Sequence, residues 1–493
     1  MPADRAVGLP LTGIRHKVIR PALTYTEKFL VMRALTRRLG FVLCFGGVSL
    51  IAAQTAIPND TMDLSEAYRL AVEQDPQLRA AQARLRASEE LGNQARALFL
   101  PDINVQAGAN QNWENSQLGD QSRNSVDYQS WSAGVELVQP LFRRESFAIA
   151  DQNEILQDQA GLQYAQSQQD ILLRVSEAYF NLLLTQDTLE FTEAELEAVE
   201  SELRRAERAL EVGSGTVTDR DEARARVDQV EAQRLRAQND LQIARENLRS
   251  LIGRPPAELA GLREDFTAQP PSPDSPDVWA DRAERNNLTV RLSEGEFRRS
   301  RAEIRRIEGE RSPRVDLVAS YGRNYQSDSL GFAQQQQGVG GEIDSEQTQV
   351  GISVTMPLYT GGRIGSQARE AQAERDAFFE ESIDAKRQAR LQAESAYLNL
   401  VSNLRQIGAL EQALESVRST ERSTRRGLEV GLRTTLDVLN IQRDRFATKR
   451  DLADARYNYL LNYLQLQVAV GSGLDGSTVD DVNFFLAGDG NAE

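Results

Sequence analysis

The second half of this chain restates the first at an interval of 218 residues. Ala178-Tyr179-Phe180-Asn181-Leu182 returns as Ala396-Tyr397-Leu398-Asn399-Leu400, and Leu210-Glu211-Val212-Gly213 returns unchanged as Leu428-Glu429-Val430-Gly431. Gly253 and Gly471 each close an apolar helical run, and Pro140-Leu141-Phe142 answers to Pro357-Leu358-Tyr359 one residue out of register. A period this long marks duplication of a whole structural unit, not a short solenoid repeat. The fold must therefore consist of two similar halves.

Each half reads helix, strand, strand, very long helix, long helix. The first repeat is placed at 64–263 and the second at 277–471. Asp63-Leu64-Ser65-Glu66-Ala67 is an acidic cap before an apolar-periodic run, and Pro76 starts a new helix within it. Strict alternation follows near 102–110, where Ile103, Val105, Ala107 and Ala109 share one face, and near 131–138, with Trp131, Ala133, Val135 and Leu137. The second repeat alternates near 315–323 and 348–356, on Val315, Leu317, Ala319 and Tyr321, then Val350, Ile352, Val354 and Met356. Long helices are expected near 145–212, 218–252, 367–430 and 436–470, since these stretches are rich in Ala, Gln, Glu and Leu. The first could reach roughly 100 Å at about 1.5 Å per residue. Ile171, Val175, Ala178, Leu182, Thr185 and Leu189 form a heptad seam for an antiparallel partner. The repeats are joined by a Pro-rich linker at 264–276, and an acidic, Gly-rich tail at 472–493 is expected to be loose.

The alternating segments constrain the surroundings of the protein. Strands of about nine residues match a tilted membrane strand. Their second face carries Asp102, Asn104, Gln106 and Glu136, which need water. Such strands form a wall between an apolar medium and a wet lumen. Four cannot close a barrel, because even small ones need about eight. An open sheet edge in lipid costs several kcal/mol per unpaired backbone group, so strands must come from further copies of the chain. Two copies supply eight strands and three supply twelve.

Composition excludes several alternatives. The 57 basic and 73 acidic side chains give a net charge of −16, which repels nucleic-acid phosphates. A basic run, Met32-Arg33-Ala34-Leu35-Thr36-Arg37-Arg38, precedes an apolar stretch from Leu39 to Ala53. At about 15 residues this stretch is too short to span a bilayer. Residues 1–53 therefore read as a signal-peptide region, with Met32 an alternative start. The one cysteine, Cys44, follows Leu43 where a lipid-acceptor cysteine needs a small residue, so it is not an acylation site. Cleavage near Ala53 would remove Cys44 and the one histidine, His16. Disulfide, thiol and histidine chemistry go with them, and neither an enzyme site nor a cofactor is expected.

The combination resembles the TolC family of outer-membrane efflux and secretion channels, from about Leu64 to Gly471. The resemblance rests on two matched helix tips, Val212-Gly213-Ser214-Gly215-Thr216-Val217-Thr218-Asp219 and Val430-Gly431-Leu432-Arg433-Thr434-Thr435-Leu436-Asp437. The strand-ending prolines and the closing segment Ala455-Arg456-Tyr457-Asn458-Tyr459-Leu460-Leu461 add to it. In physical terms each tip is a turn in which Gly213 or Gly431 takes left-handed geometry. Thr216 or Thr218, and Thr434 or Thr435, would cap the next helix, with Asp219 or Asp437 near its positive end.

The resemblance implies a mainly α protein with a membrane part: a homotrimer whose twelve strands form a β-barrel in outer-membrane lipid, continuous with a twelve-helix periplasmic α-barrel. It implies a passive exit duct for small molecules or polypeptides, gripped at its tips (Val212, Gly213, Thr216, Val430, Gly431, Thr434) by a periplasmic adaptor tied to an inner-membrane transporter. It implies that Asp437 forms a carboxylate ring at the periplasmic entrance and that Arg433, with Thr218 and Asp219, holds the closed state. Two positions depart from the family pattern. Asn440 stands where a second entrance carboxylate is usual, and Leu428 where a latch tyrosine is usual. Against this stands a non-channel coiled-coil protein of the cell envelope, which would explain the helices but neither the alternating strands nor the leader.

Overall fold

The computed structural model describes residues 61–116, 124–263, 265–327, 342–472 and 477–486. The expected leader at 1–53, with Cys44, His16 and Met32, lies outside them. In chain order the elements are β1 (Thr61–Met62), α1 (Leu64–Gln74), α2 (Pro76–Ala97), β2 (Asp102–Ser116), β3 (Asn124–Phe142), α3 (Arg144–Glu211) and α4 (Val217–Ile252). There follow β4 (Glu258–Leu259), α5 (Pro276–Asn286), α6 (Leu288–Gly309), β5 (Arg314–Gln326), β6 (Ile343–Thr355), α7 (Arg363–Glu429), α8 (Thr435–Ala469) and α9 (Ser477–Asn483). Helix, helix, strand, strand, long helix, long helix thus occurs twice.

Local chemistry fixes the helix starts. The Asp63 carboxylate accepts the N–H of Glu66 (2.7 Å) to open α1. Asp75 accepts that of Leu78 (2.7 Å) to open α2, with Pro76 at the first helical position, where its missing N–H costs nothing. Gly213, Gly253, Gly431 and Gly471 all take positive φ, between 75° and 81°, and end the four long helices.

The large sheet is antiparallel throughout, in the order β2-β3-β5-β6. Cross-strand partners share a face. Val105, Val135, Tyr321 and Thr348 form one such row, and Asn104, Glu136, Ser320 and Gln349 form its neighbour on the opposite face. The apolar face is bare: Val105, Val350 and Ile352 are 77, 70 and 66% exposed. Phe99, Phe142, Phe147 and Tyr359 are exposed near the helix-proximal end, and Trp113 and Trp131 toward the other. An apolar band flanked by aromatic side chains is the pattern of a lipid-facing strand surface. Among the described residues no helix is long and apolar enough to cross a membrane.

The strands run to 15, 19, 13 and 13 residues, longer than the alternating segments near 102–110, 131–138, 315–323 and 348–356. Pairing continues into polar sequence because the ladder needs only backbone groups, whereas apolar alternation stops where the apolar medium does. Pro140, expected to end its strand, instead sits inside β3 at a register shift against β5. This is tolerated because β2 has already ended opposite Val138, which leaves Pro140 paired on one side only. The two strand-to-helix passages differ accordingly. β3 enters α3 almost directly, whereas β6 reaches α7 through a turn with left-handed Gly361 and Gly362.

Next to the sheet, α3 lies between α2 and α6, and α6 packs on α7. Two glycines allow this closeness. Gln157 of α3 lies over Gly92 and donates to the Glu89 carbonyl (3.1 Å), and Gln159 lies over Gly295 and donates to Glu296 (3.0 Å). Farther from the sheet, α3 pairs with α4, α7 with α8, and α8 packs on α3. The main core gathers around Ile171, Leu172, Tyr179, Leu248, Leu400, Leu460 and Leu464. The Tyr179 hydroxyl is buried there beside the carbonyls of Met62 (3.0 Å) and Ala260 (2.8 Å), at the β1–β4 pair.

The Pro-rich linker is docked on the helices. Trp279 donates to the Pro273 carbonyl (2.8 Å), and the Tyr459 hydroxyl donates to that of Gln269 (2.7 Å). Of the segment expected to be loose at 472–493, residues 477–486 are packed on the rest of the chain. Residues 477–483 form α9, Asn483 accepts the N–H of Leu64 (3.1 Å), and Leu486 bridges Leu262. Val479 and Val482 supply the buried apolar face that the Gly and Asp content masked.

Candidate functional site: the paired helix tips

Both tips are built the same way. In the first, the Ala209 carbonyl accepts N–H groups from Ser214 (2.9 Å) and Gly215 (2.9 Å), which turns the chain back after Val212 and Gly213. Thr216 then caps α4 in a capping box: its hydroxyl accepts the Asp219 N–H (3.1 Å) while Asp219 accepts the Thr216 N–H (3.2 Å). In the second, the Gly427 carbonyl accepts from Leu432 (2.8 Å) and Arg433 (3.2 Å), past Val430 and Gly431. Thr434 and Asp437 form the matching box, at 3.2 and 2.9 Å. The caps are therefore Thr216 and Thr434. Thr218 and Thr435 lie inside the helices that follow.

Asp437 is held below the usual carboxylate range, chiefly by the Thr434 N–H, then by the Thr434 hydroxyl and by Arg433. Arg433 and Asp219 line one cleft between the tips, of about 500 Å³, with Glu202, Leu428, Glu429 and Thr434. Among the described residues they make no ion pair within one chain; Asp219 spends its carboxylate on the cap. Asn440 is exposed on α8, outside that cleft. The tips also expose apolar groups: Val212, Val430 and Leu432 are 77, 69 and 80% accessible. Among the described residues no cluster of His, Cys, Asp and Glu could hold a metal.

Behind the tips lies a charged seam that the sequence reading missed. Glu195 of α3 is wholly buried and bonded to Arg226 of α4 (2.5 Å) and Arg450 of α8 (3.2 Å). Glu202 meets Arg205 (3.0 Å) and Arg425 (3.5 Å), and Glu421 meets Arg445 (2.9 Å) and Arg425 (3.5 Å). Beside them, burial and then the neighbouring Arg445 and Arg418 push the Lys449 ammonium below its ordinary value. Gln442 is buried with both side-chain polar atoms unpartnered. A signal was available: Glu195, Val199, Glu202 and Ala206 fall at heptad spacing, which puts two carboxylates on an inward seam.

The comparisons with known proteins agree with this geometry. The outer membrane efflux protein family matches the chain twice, over residues 67–254 and 279–472. Outer membrane protein TolC of Vibrio cholerae is 33% identical over 432 residues, covering 85% of this chain and 93% of that protein. Alkaline protease secretion protein AprF of Pseudomonas aeruginosa is 28% identical, covering 89% of each. The solved structure of CusC superposes with a TM-score of 0.71 at 18% identity, covering 84% of this chain and 94% of that one, and speaks for the fold. Exposed apolar strands, long paired helices and these likenesses place the chain in the outer membrane efflux protein family, as a TolC-family exit duct of the outer membrane.

Proposed function

We propose that three copies close the duct, as an internally duplicated chain contributing four strands each to a twelve-stranded barrel above a twelve-helix tunnel. The observation that carries this reading is a pair of open edges. Among the described residues, β2 and β6 end the sheet with their outer backbone groups unpaired, which lipid does not tolerate. In the adjoining helix layer α2 and α7 are the outermost members in the same order. Edge β6 of one copy thus meets edge β2 of the next while α7 meets the neighbouring α2. This is a head-to-tail contact, which closes a ring when the rotation fits.

The duct is passive. An inner-membrane transporter supplies energy, and a periplasmic adaptor grips the exposed tips around Val212, Gly213, Thr216, Val430, Gly431 and Thr434, six similar units in three chains. Small molecules or polypeptides enter past the Asp437 carboxylates, with the neutral Asn440 making that ring less acidic. Arg433 holds the closed state against Asp219 and Thr218, across the cleft that Arg433 and Asp219 share, and with Leu428 in the usual tyrosine place it is the principal latch. Purified protein should run as a detergent-dependent trimer and give small, mostly closed conductance in planar bilayers. Arg433→Ser with Asp219→Ala should raise conductance and sensitivity to large antibiotics. A monodisperse, detergent-free monomer refutes the duct, and unchanged conductance in the double variant refutes the latch.

A further inference from the structure

The two tips bring the same pair of positions into contact and resolve that contact in opposite ways. In both, the residue whose carbonyl closes the turn lies under the residue six further on: Ala209 under Gly215, and Gly427 under Arg433. A Cβ on Gly215 would stand 3.0 Å from the Cβ of Ala209 and 3.0 Å from the Leu210 nitrogen. A Cβ on Gly427 would stand 2.7 Å from Cγ and 3.4 Å from Cβ of Arg433. Carbon atoms pack at about 3.5–4.0 Å, so the second contact has room for one side chain, whereas at the first the Leu210 nitrogen and the Ala209 carbonyl carbon (3.1 Å) also keep residue 215 bare. At the 218-residue interval Ala209 aligns with Gly427, and Gly215 with Arg433. One tip thus keeps a methyl on the helix and leaves the turn bare. The other strips the helix and lets the turn carry a guanidinium.

We propose that Gly427 is the positioning residue for Arg433: by leaving the last turn of α7 bare, it seats the arginine stem across the helix and directs the side chain into the cleft beside Glu202, Asp219 and Glu429. This rests on the reading of Arg433 as the latch. A methyl at 427 does not break the fold, because Arg433 is exposed and can swing to another rotamer. It removes the seat, not the helix. Alanine is moreover the better helix former, so a purely structural role for position 427 predicts a tighter tip, and a seating role predicts a leakier one.

The test uses the full chain, purified in detergent and reconstituted in planar bilayers, with melting followed by circular dichroism. Four proteins are compared: wild type, Arg433→Ser, Gly427→Ala, and Gly427→Ala with Arg433→Gly, which copies the Ala–Gly arrangement of the first tip. Gly427→Ala should raise conductance to the Arg433→Ser level with melting temperature unchanged or higher. The double variant should conduct no more than Arg433→Ser. If Arg433→Ser conducts more than wild type but Gly427→Ala does not, the seat is wrong while the latch stands. A double variant well above both single variants would show that alanine acts through the turn, and would also overturn the seat. If Arg433→Ser leaves conductance unchanged, the latch falls and the role given to Gly427 falls with it.

Discussion

Glutamine at position 195 keeps the shape of the side chain and removes its charge from the centre of three helices. Glu195 is fully buried, and its two partners are largely so: Arg226 and Arg450 expose 12% and 26% of their side chains. Removing one member of a buried ion set costs about 3–5 kcal/mol, mostly because the remaining charge is left uncompensated. Here the partial exposure of Arg450 lets water take up part of that charge, and glutamine still accepts one hydrogen bond. Together these reduce the expected loss to roughly 2–3 kcal/mol. For a chain of this size, at about 2.1 cal/mol/K of unfolding entropy per residue, this is a fall of roughly 2–3 °C in the temperature at which helical dichroism is lost, measured at one fixed scan rate. The decisive comparison replaces all three groups with apolar residues, Glu195→Met, Arg226→Leu and Arg450→Leu. If the loss in Glu195→Gln comes from stranded guanidinium groups, the triple variant recovers most of it. A triple variant at least as unstable as Glu195→Gln, or a Glu195→Gln protein that melts with wild type, refutes the reasoning.

Two further outcomes follow from the geometry. A Cβ on Gly309 would stand 2.8 Å from the backbone nitrogen of Glu145, an atom that cannot move without shifting the start of α3, so Gly309→Ala should sharply reduce the yield of assembled protein in the outer membrane. Retention of wild-type trimer yield on native gels would show that α3 can give way there. Asp437 is held below the usual carboxylate range, so its contribution to the tip is present above the unfolded value, near 4, and lost as pH falls through the lower folded value. Hydrogen exchange at residues 431–438, corrected for intrinsic rate, should therefore stay slow down to about pH 4 and rise below it. Asp437→Asn should flatten that acid limb; an unchanged profile would move the titration elsewhere.

The sequence carries the signals for where the long helices end because those ends depend on local chemistry: left-handed glycines, Thr–Asp capping boxes and acidic caps are all nearest-neighbour devices. It located the strands through alternation and so saw only the portion facing an apolar medium. The outer lengths of β2, β3, β5 and β6 carry no such alternation and are held by ladder hydrogen bonds. The choice between Thr216 and Thr218 was undecidable from composition, since either hydroxyl could cap; the backbone conformation at Thr216 decides it. The packing of residues 477–486 is not legible in the sequence, because their apolar residues are few and their burial depends on α1, more than 400 residues away in the chain.

By itself, then, the sequence determined the repeat, the alternation that demands an apolar medium, the Pro-free helices and the composition of the tips, because these are properties of periodicity and local conformation. Only the tertiary structure decided which carboxylates are buried between coils, which glycine makes room for Arg433, and which sheet edges stay open. Each of these depends on atoms brought within a few ångströms from distant or folded-back segments. Glu195 on its own reads as one acidic residue on a charged helix; what distinguishes it is Arg226 and Arg450 closing over it from two other helices.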